Sequence, residues 1–298
     1  MVYRLAKIWS DYLDWPMMSE SVLSAHDIVV EFPGHPPVLA VDGVTCDIKI
    51  GEVVGLVGES GSGKSTMARV LTGLLRPKSG EVIYQGKTLT PLGLRGRDVH
   101  DTGIQMVFQD PGSSLNPRRR VGAQIQDGLD AAKRRLGIGF DEGRPATPTQ
   151  WLDRIGMDAQ DANRFPGSFS GGQRQRIATA RALAAAPDVL IGDEPISSLD
   201  ASTQARLAYV MSSLTIAHGA GMLFISHDLS IVRLIADRIL VMYQGHIVER
   251  GPAEEVWQDP RHPYTKALLG AIPIPDGAGR LPTVTPPGTT YPLEEAIH

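Results

Sequence analysis

Short apolar runs alternate with amphipathic stretches along most of this chain. Val53-Val54-Gly55-Leu56-Val57 is uninterrupted and reads as a buried strand, and Thr66-Met67-Ala68-Arg69-Val70-Leu71, soon after it, reads as a helix. Upstream, Ile28-Val29-Val30-Glu31-Phe32 and Val44-Thr45-Cys46-Asp47-Ile48 alternate as strands do, with a turn at Pro33, Gly34, Pro36 and Pro37 between them. Further strands are expected near Glu81–Tyr84 and Ile104–Phe108. From Pro111 to Gly172 the pattern turns helical and polar, interrupted over Gly137–Pro148, which predicts an inserted helical lobe with a flexible interior. The alternation then returns. Val189–Gly192, Met222–Ile225 and Ile239–Tyr243 are strand-like, and Gln173–Ala185, Ser202–Ala217 and Leu229–Ala236 are helical. This order predicts an α/β fold: a mainly parallel sheet covered by helices, with an antiparallel β edge.

The expected organisation is an extension over 1–20, one folded unit over 21–272 with the helical lobe at about 112–172, and a tail over 273–298. The tail carries six prolines and reads as extended or disordered. No internal repeat is visible. With 298 residues and 42% hydrophobic content, the chain can bury a sizeable core, and its net charge of −4 argues against nucleic acid as the main partner. The single cysteine, Cys46, excludes a disulfide framework within the chain and reads as a small buried residue. No apolar run approaches the roughly 20 residues that span a bilayer, and residues 1–20 lack the apolar core of a signal peptide. A soluble, cytoplasmic protein that docks on a membrane protein fits these features.

The chemistry starts at Gly58-Glu59-Ser60-Gly61-Ser62-Gly63-Lys64-Ser65, followed by Thr66, which fits the nucleotide phosphate loop G-x-x-x-x-G-K-[ST]. A strand, a glycine loop and a helix aim successive backbone N–H groups at one spot, and the helix dipole adds partial positive charge there. Glycines at 58, 61 and 63 let the backbone approach phosphate oxygens without a Cβ in the way. Lys64 is placed to reach β- and γ-phosphates, and the Ser65 hydroxyl to ligate Mg²⁺. A second site ends the apolar run Val189-Leu190-Ile191-Gly192 with Asp193 and Glu194. Carboxylates at the C-terminal edge of a buried strand stand where α/β sheets hold ligands. Asp193 suits Mg²⁺ through water, and Glu194 suits a general base that polarises an attacking water.

Between these sites lies Phe169-Ser170-Gly171-Gly172-Gln173, followed by Arg174-Gln175-Arg176, which resembles the signature of ABC-type ATPases. Gln109 in Val107-Phe108-Gln109-Asp110-Pro111 resembles the Q-loop, Asp200 in Ser198-Leu199-Asp200 the D-loop, and His227 in Phe224-Ile225-Ser226-His227-Asp228 the switch histidine. The resemblance covers about 22–272. It implies a P-loop ATPase fold with ATP and Mg²⁺ as cofactors, Mg²⁺ being held by Ser65, Gln109 and Asp193. Phe32 stands where such proteins stack an aromatic on adenine; a core role is the alternative. Gly192 replaces a commoner small residue, with lost packing expected but no lost chemistry. Arg118-Arg119-Arg120 reads as a solvated face or a contact to an acidic partner.

Two stretches resemble a narrower branch, the ATP-binding subunits of dipeptide, oligopeptide and nickel importers: Ser113-Ser114-Leu115-Asn116-Pro117-Arg118, and His262-Pro263-Tyr264-Thr265-Lys266-Ala267-Leu268-Leu269 with Ile272-Pro273-Ile274-Pro275. The resemblance implies a head-to-tail dimer that sandwiches ATP. Ser170, Gly171, Gly172 and Gln173 of one subunit would face Lys64, Ser65, Gln109, Asp193, Glu194 and His227 of the other, a self copy or a paralogue. It further implies two transmembrane permease subunits, an extracytoplasmic substrate-binding protein, and a peripheral position on the cytoplasmic face of the inner membrane. No iron–sulfur cluster is expected, since the tail has no cysteine. Alternative cargoes are nickel, opines, glutathione and oligosaccharides. The alternative of another class is a soluble ABC ATPase acting on nucleic acid or ribosomes.

Overall fold

Two β-sheets are wrapped around one short helix. The computed structural model describes residues 21–93, 98–110, 114–137, 144–196, 201–272 and 289–297. The proposed extension 1–20, the D-loop residue Asp200 and positions 273–288 of the tail lie outside the described residues. The smaller sheet is antiparallel. It contains β1 (Ser21–Phe32), β2 (Val38–Lys49), β4 (Ser79–Tyr84) and β5 (Lys87–Thr88), in the order β2-β1-β4-β5. Between β2 and β4 come β3 (Val53–Val57) and α1 (Lys64–Leu71).

The larger sheet has the order β11-β10-β9-β3-β8-β7-β6, with β10 at His246–Pro252 and β11 at Ala296–Ile297. Its parallel centre is β9 (Arg238–Tyr243), β3, β8 (Gly221–Ser226), β7 (Val189–Asp193) and β6 (Ile104–Val107). Consecutive side chains of these strands point to opposite faces, as the strand period of two requires. Val53 and Val57 of β3, Phe224 of β8 and Val241 of β9 enter one buried cluster. Val54, Leu56, Ile225 and Met242 enter the other. Both faces are covered, so these strands read in the sequence as continuous apolar runs. Met67, Ala68, Val70 and Leu71 of α1 fill the cluster between the two sheets, and Cys46 is buried there as expected, its thiol pushed up to about 12 by burial.

The helical lobe carries α2 (Val121–Leu136) and α3 (Pro148–Arg154), and α4 (Gly171–Ala184) returns the chain to the sheet. Ile125, Leu129, Trp151 and Ile177 join it to the cluster on the other face. Then come α5 (Ala201–Ala217), α6 (Leu229–Ile235), α7 (Ala253–Gln258) and α8 (Pro263–Gly270).

Two features depart from the sequence reading. A strand after Tyr243 is absent from it, yet β10 (His246–Pro252) pairs antiparallel with β9 through the tight turn Gln244-Gly245, both at positive φ. The end of the tail is also paired, which the sequence reading did not anticipate: Ala296–Ile297 forms β11, parallel to β10, with Arg250 paired to Glu295. The polyproline composition of 273–287 masked this return.

Candidate functional site

Strand register brings the chemistry together. Val57 pairs with Ser226, Asp193 with Ile225, and Val107 with Gly192, so β3, β8, β7 and β6 end side by side. The phosphate loop, Glu194, His227 and Gln109 all leave the sheet at this one edge. The sequence motifs thus converge at the carboxyl edge of a parallel sheet, where such sheets bind ligands.

The loop itself is held from behind. A Cβ on Gly58 would lie 2.1 Å from the Met242 carbonyl oxygen, and one on Gly63 2.3 Å from that of Ala40. Close approach to the protein's own backbone, rather than to a ligand, therefore demands glycine at these two positions. Gly61 has φ +83° with open space around it, so there conformation alone demands glycine. Gly245 donates its N–H to the Ser62 carbonyl at 2.9 Å. Lys64 Nζ donates to the carbonyls of Gly58 and Glu59 at 2.8 and 2.7 Å and to Ser62 Oγ at 3.3 Å. Burial lowers the Lys64 pKa, and the charges of Glu194, Asp193 and Glu59 oppose that shift. Ser60 is exposed and Thr66 half-buried in the first turn of α1.

Ser65 Oγ donates to Asp193 Oδ1 at 2.8 Å. A hydroxyl and a carboxylate in contact are hard oxygen donors of the kind Mg²⁺ takes alongside its own water. Burial raises the Asp193 pKa; the Ser65 hydrogen bond lowers it and the charge of Glu194 raises it further. Gly192 before it is more than a loss of packing: a Cβ there would meet Pro195 Cγ at 2.9 Å. That proline ring can fold back on the strand because the residue before the acids has no side chain.

Glu194 sits at φ 46°, uncommon for a residue with a side chain, and gives its N–H to the Ile225 carbonyl at 3.1 Å. Gln109 Nε2 donates to Glu194 Oε2 at 3.0 Å, and His227 Nδ1 lies 3.3 Å from Oε1. The carboxylate is 15% exposed and the imidazole 60%, so a largely buried carboxylate is held by two partners that stand at the surface, Gln109 on one oxygen and His227 on the other. Backbone strain at such a corner, worth on the order of 1 kcal/mol, is a common mark of function.

The signature segment is built locally. Ser170 caps α4, its Oγ accepting from the Gln173 N–H at 3.3 Å while Gln173 Oε1 accepts from the Ser170 N–H at 3.0 Å. The helix begins at Gly171, so Gly171 and Gly172 lie in its first turn. Phe169 is buried, with the Arg164 guanidinium over its ring at 4.5 Å. Gln175 reaches from α4 to the Phe108 carbonyl at 3.2 Å, one residue before Gln109.

Two weaker readings sharpen. Phe32 lies exposed at the end of β1 and outside both buried clusters, which removes its core alternative. Arg119 pairs with Asp127 and Arg120 lies over the Phe165 ring at 5.7 Å, both at the solvated surface. Sequence reasoning overlooked Tyr264 as part of the site: its hydroxyl accepts the Glu59 N–H at 2.8 Å. Its neighbours His262 and Pro263 had marked it as a branch motif without saying what it touches.

Residues 41–197 match the family model described as ABC transporter, and 248–297 that described as the C-terminal region of oligopeptide/dipeptide transporters. The oligopeptide transport ATP-binding protein OppF of Bacillus subtilis is 48% identical over 240 residues, which cover 80% of this chain and 78% of that one. A putative peptide import ATP-binding protein of Brucella ovis is 40% identical over 265 residues, covering 89% and 82%. Among solved structures, the dimeric ATP-binding cassette MJ0796 in a post-hydrolysis state with ADP and Pi superposes with a TM-score of 0.64 at 26% identity, covering 78% of this chain and 98% of its own. Clostridium perfringens cbiO1, part of the cbiONQ transporter complex, gives 0.65 at 27% identity, with 80% and 92% covered.

Proposed function

Because the chain belongs to the ABC transporter family as an ATP-binding subunit, we propose that it hydrolyses ATP to drive a membrane importer of di- and oligopeptides. The observation that carries the chemistry is the bracketed carboxylate: Glu194 held by Gln109 on one oxygen and by His227 on the other, beside the Ser65–Asp193 pair. Peptide cargo is supported by the match of 248–297 and by the names of the relatives.

In this reading Gly58 to Thr66 cradle the phosphates, and Lys64 exchanges its carbonyl partners for β- and γ-phosphate oxygens. Ser65 and Asp193 would hold Mg²⁺, with Gln109 at its edge; the ion supplies charge neutralisation across the phosphates. Glu194 accepts the proton of the attacking water, and its bracket fixes which lone pair faces that water. His227 links the carboxylate to the γ-phosphate, and Phe32 stacks on adenine. Ser170, Gly171, Gly172 and Gln173 of a second ATP-binding subunit complete the sandwich, with Asp200 at the same seam. Among the described residues no helix is long and apolar enough to cross a membrane. In the importer reading, which the match of 248–297 and the relatives' names support, the chain sits on the cytoplasmic face of the inner membrane against two permease subunits, served from outside by a substrate-binding protein.

The test is Glu194→Gln. ATP binding is retained while turnover falls about 1,000-fold, as for loss of a general base. Tagged Glu194→Gln protein is drawn from detergent-solubilised membranes with ATP and Mg²⁺ and its partners are identified by mass spectrometry. Two multi-span permeases and an ATP-binding chain are expected. Normal turnover would overturn the role of Glu194, and recovery of ribosomal or DNA-associated partners alone would overturn the transporter reading.

A further inference from the structure

The hydroxyl of Tyr264 meets the phosphate loop from 205 residues away, accepting the Glu59 N–H at 2.8 Å. Tyr264 is 1% exposed, and its ring lies against Tyr243 and Tyr291 with centroids 4.4 and 5.4 Å apart. Tyr243 ends β9, the strand whose following turn holds Ser62 through Gly245 and whose Met242 carbonyl closes on Gly58. Tyr291 belongs to the returning tail. The back of the loop thus rests on an aromatic cluster that the C-terminal segment completes.

A second connection runs through His262. Its Nδ1 accepts the Tyr264 N–H at 3.1 Å, which puts the ring proton on Nε2, and Nε2 then donates to the Pro292 carbonyl at 3.1 Å. The buried Glu249 holds the same corner by accepting the N–H groups of Arg261 and His262 at 2.8 and 2.9 Å. Residues 289–297 are fixed on the other side by the pairing of β11 with β10 and by Arg250–Glu295. An unbroken series of contacts therefore joins the tail to the second residue of the phosphate loop.

We propose that Tyr264 is a positioning residue for the phosphate loop, and that through Tyr291 and His262 it makes nucleotide affinity depend on the docking of residues 289–297. The physical reason lies with the Glu59 N–H. A donor held by the hydroxyl of a buried tyrosine fixes the peptide plane between Gly58 and Glu59, and Gly58 is a joint that glycine leaves soft. The Gly58 carbonyl that accepts from Lys64 belongs to that same peptide and the Glu59 carbonyl to the next one, so its orientation sets where the ammonium stands.

The inference rests on the reading of residues 58–66 as the ATP site. It is tested on the full chain with Tyr264→Phe, which keeps the ring in the cluster and removes only the oxygen. A fluorescent ATP analogue should bind Tyr264→Phe roughly three- to ten-fold more weakly, the factor that follows from one net hydrogen bond. In ATPase titrations KM should rise by the same factor with kcat little changed. Tyr291→Leu should weaken binding in the wild-type background and add little in the Tyr264→Phe background, because the two act through one contact series. Tyr264→Phe with wild-type ATP affinity would overturn the inference, as would equal and additive losses from the two substitutions. A lower melting temperature with unmoved KM would assign Tyr264 to packing alone and overturn it too. A wild-type chain that binds no ATP analogue would instead overturn the reading of the site itself.

Discussion

The phosphate loop and the start of α4 both present backbone N–H groups at a helix N-terminus, but they are held by different means. α1 follows Gly63, φ 111°, at its N-cap position, with no side-chain cap. Its shape is imposed from outside, by the carbonyls of Ala40 and Met242, the N–H of Gly245 and the hydroxyl of Tyr264. α4 is capped by Ser170, whose capping box with Gln173 satisfies the helix start from within four residues. The first geometry is a tertiary property; the second travels with its own segment. A structure that must be assembled between two subunits gains from this difference. The phosphate loop takes its shape from the sheet behind it, whereas the signature carries its shape within its own segment.

Substitutions at the two helix starts separate these cases. Gly63→Ala is expected to have the larger effect, a loss of about 3 kcal/mol of stability together with ATP binding. It combines positive-φ strain with a Cβ driven onto a backbone carbonyl that cannot move aside. Chemical denaturation and analogue binding would measure both. Ser170→Ala should cost only about 1 kcal/mol, the value of a lost N-cap, and leave ATP affinity of the lone chain unchanged while lowering turnover of the assembled transporter. Loss of ATP affinity in the isolated Ser170→Ala chain would break the comparison, since it would place the signature within reach of the same chain's own loop.

The smallest effect concerns Asp193. Burial raises its pKa, so in the nucleotide-free chain its ionised form is a net cost that appears as pH rises above the ordinary carboxylate value of about 3.9. Asp193→Asn should therefore melt roughly 2 °C higher at pH 7, with the gap closing as pH falls through the raised value. A gap that widens on acidification would contradict burial as the dominant cause. On the proposed role of Asp193 in holding Mg²⁺, turnover should be lost at every pH.

Local pattern made much of the fold and site readable. The runs at Val53–Val57, Val189–Gly192 and Met222–Ile225 are strands because both sheet faces are covered, and the loop and Asp193-Glu194 follow them at the edge the pattern implies. The unreadable parts share one cause, separation along the chain. Nothing near Gly58 announces Met242, and nothing near Glu59 announces Tyr264. Gly192 looked like a loss until Pro195 was seen folded against it. β10 was hidden because His246–Pro252 mixes charge with glycine and proline at a sheet margin, and β11 because six prolines dominate the surrounding composition.

The three oxygens around Lys64 Nζ carry a final consequence. An ammonium has three donors, and here each already has an acceptor within the chain. Ligand binding at this lysine is therefore an exchange reaction, and its driving force is the difference between two coordination spheres rather than the whole of the second. A lone small anion replaces one neutral oxygen at a time and gains little. A polyphosphate offers several charged oxygens on one tether and makes the swap in a single step. An exchange of this kind would favour a ligand of several linked oxygens over single small anions, a preference set by denticity as well as charge.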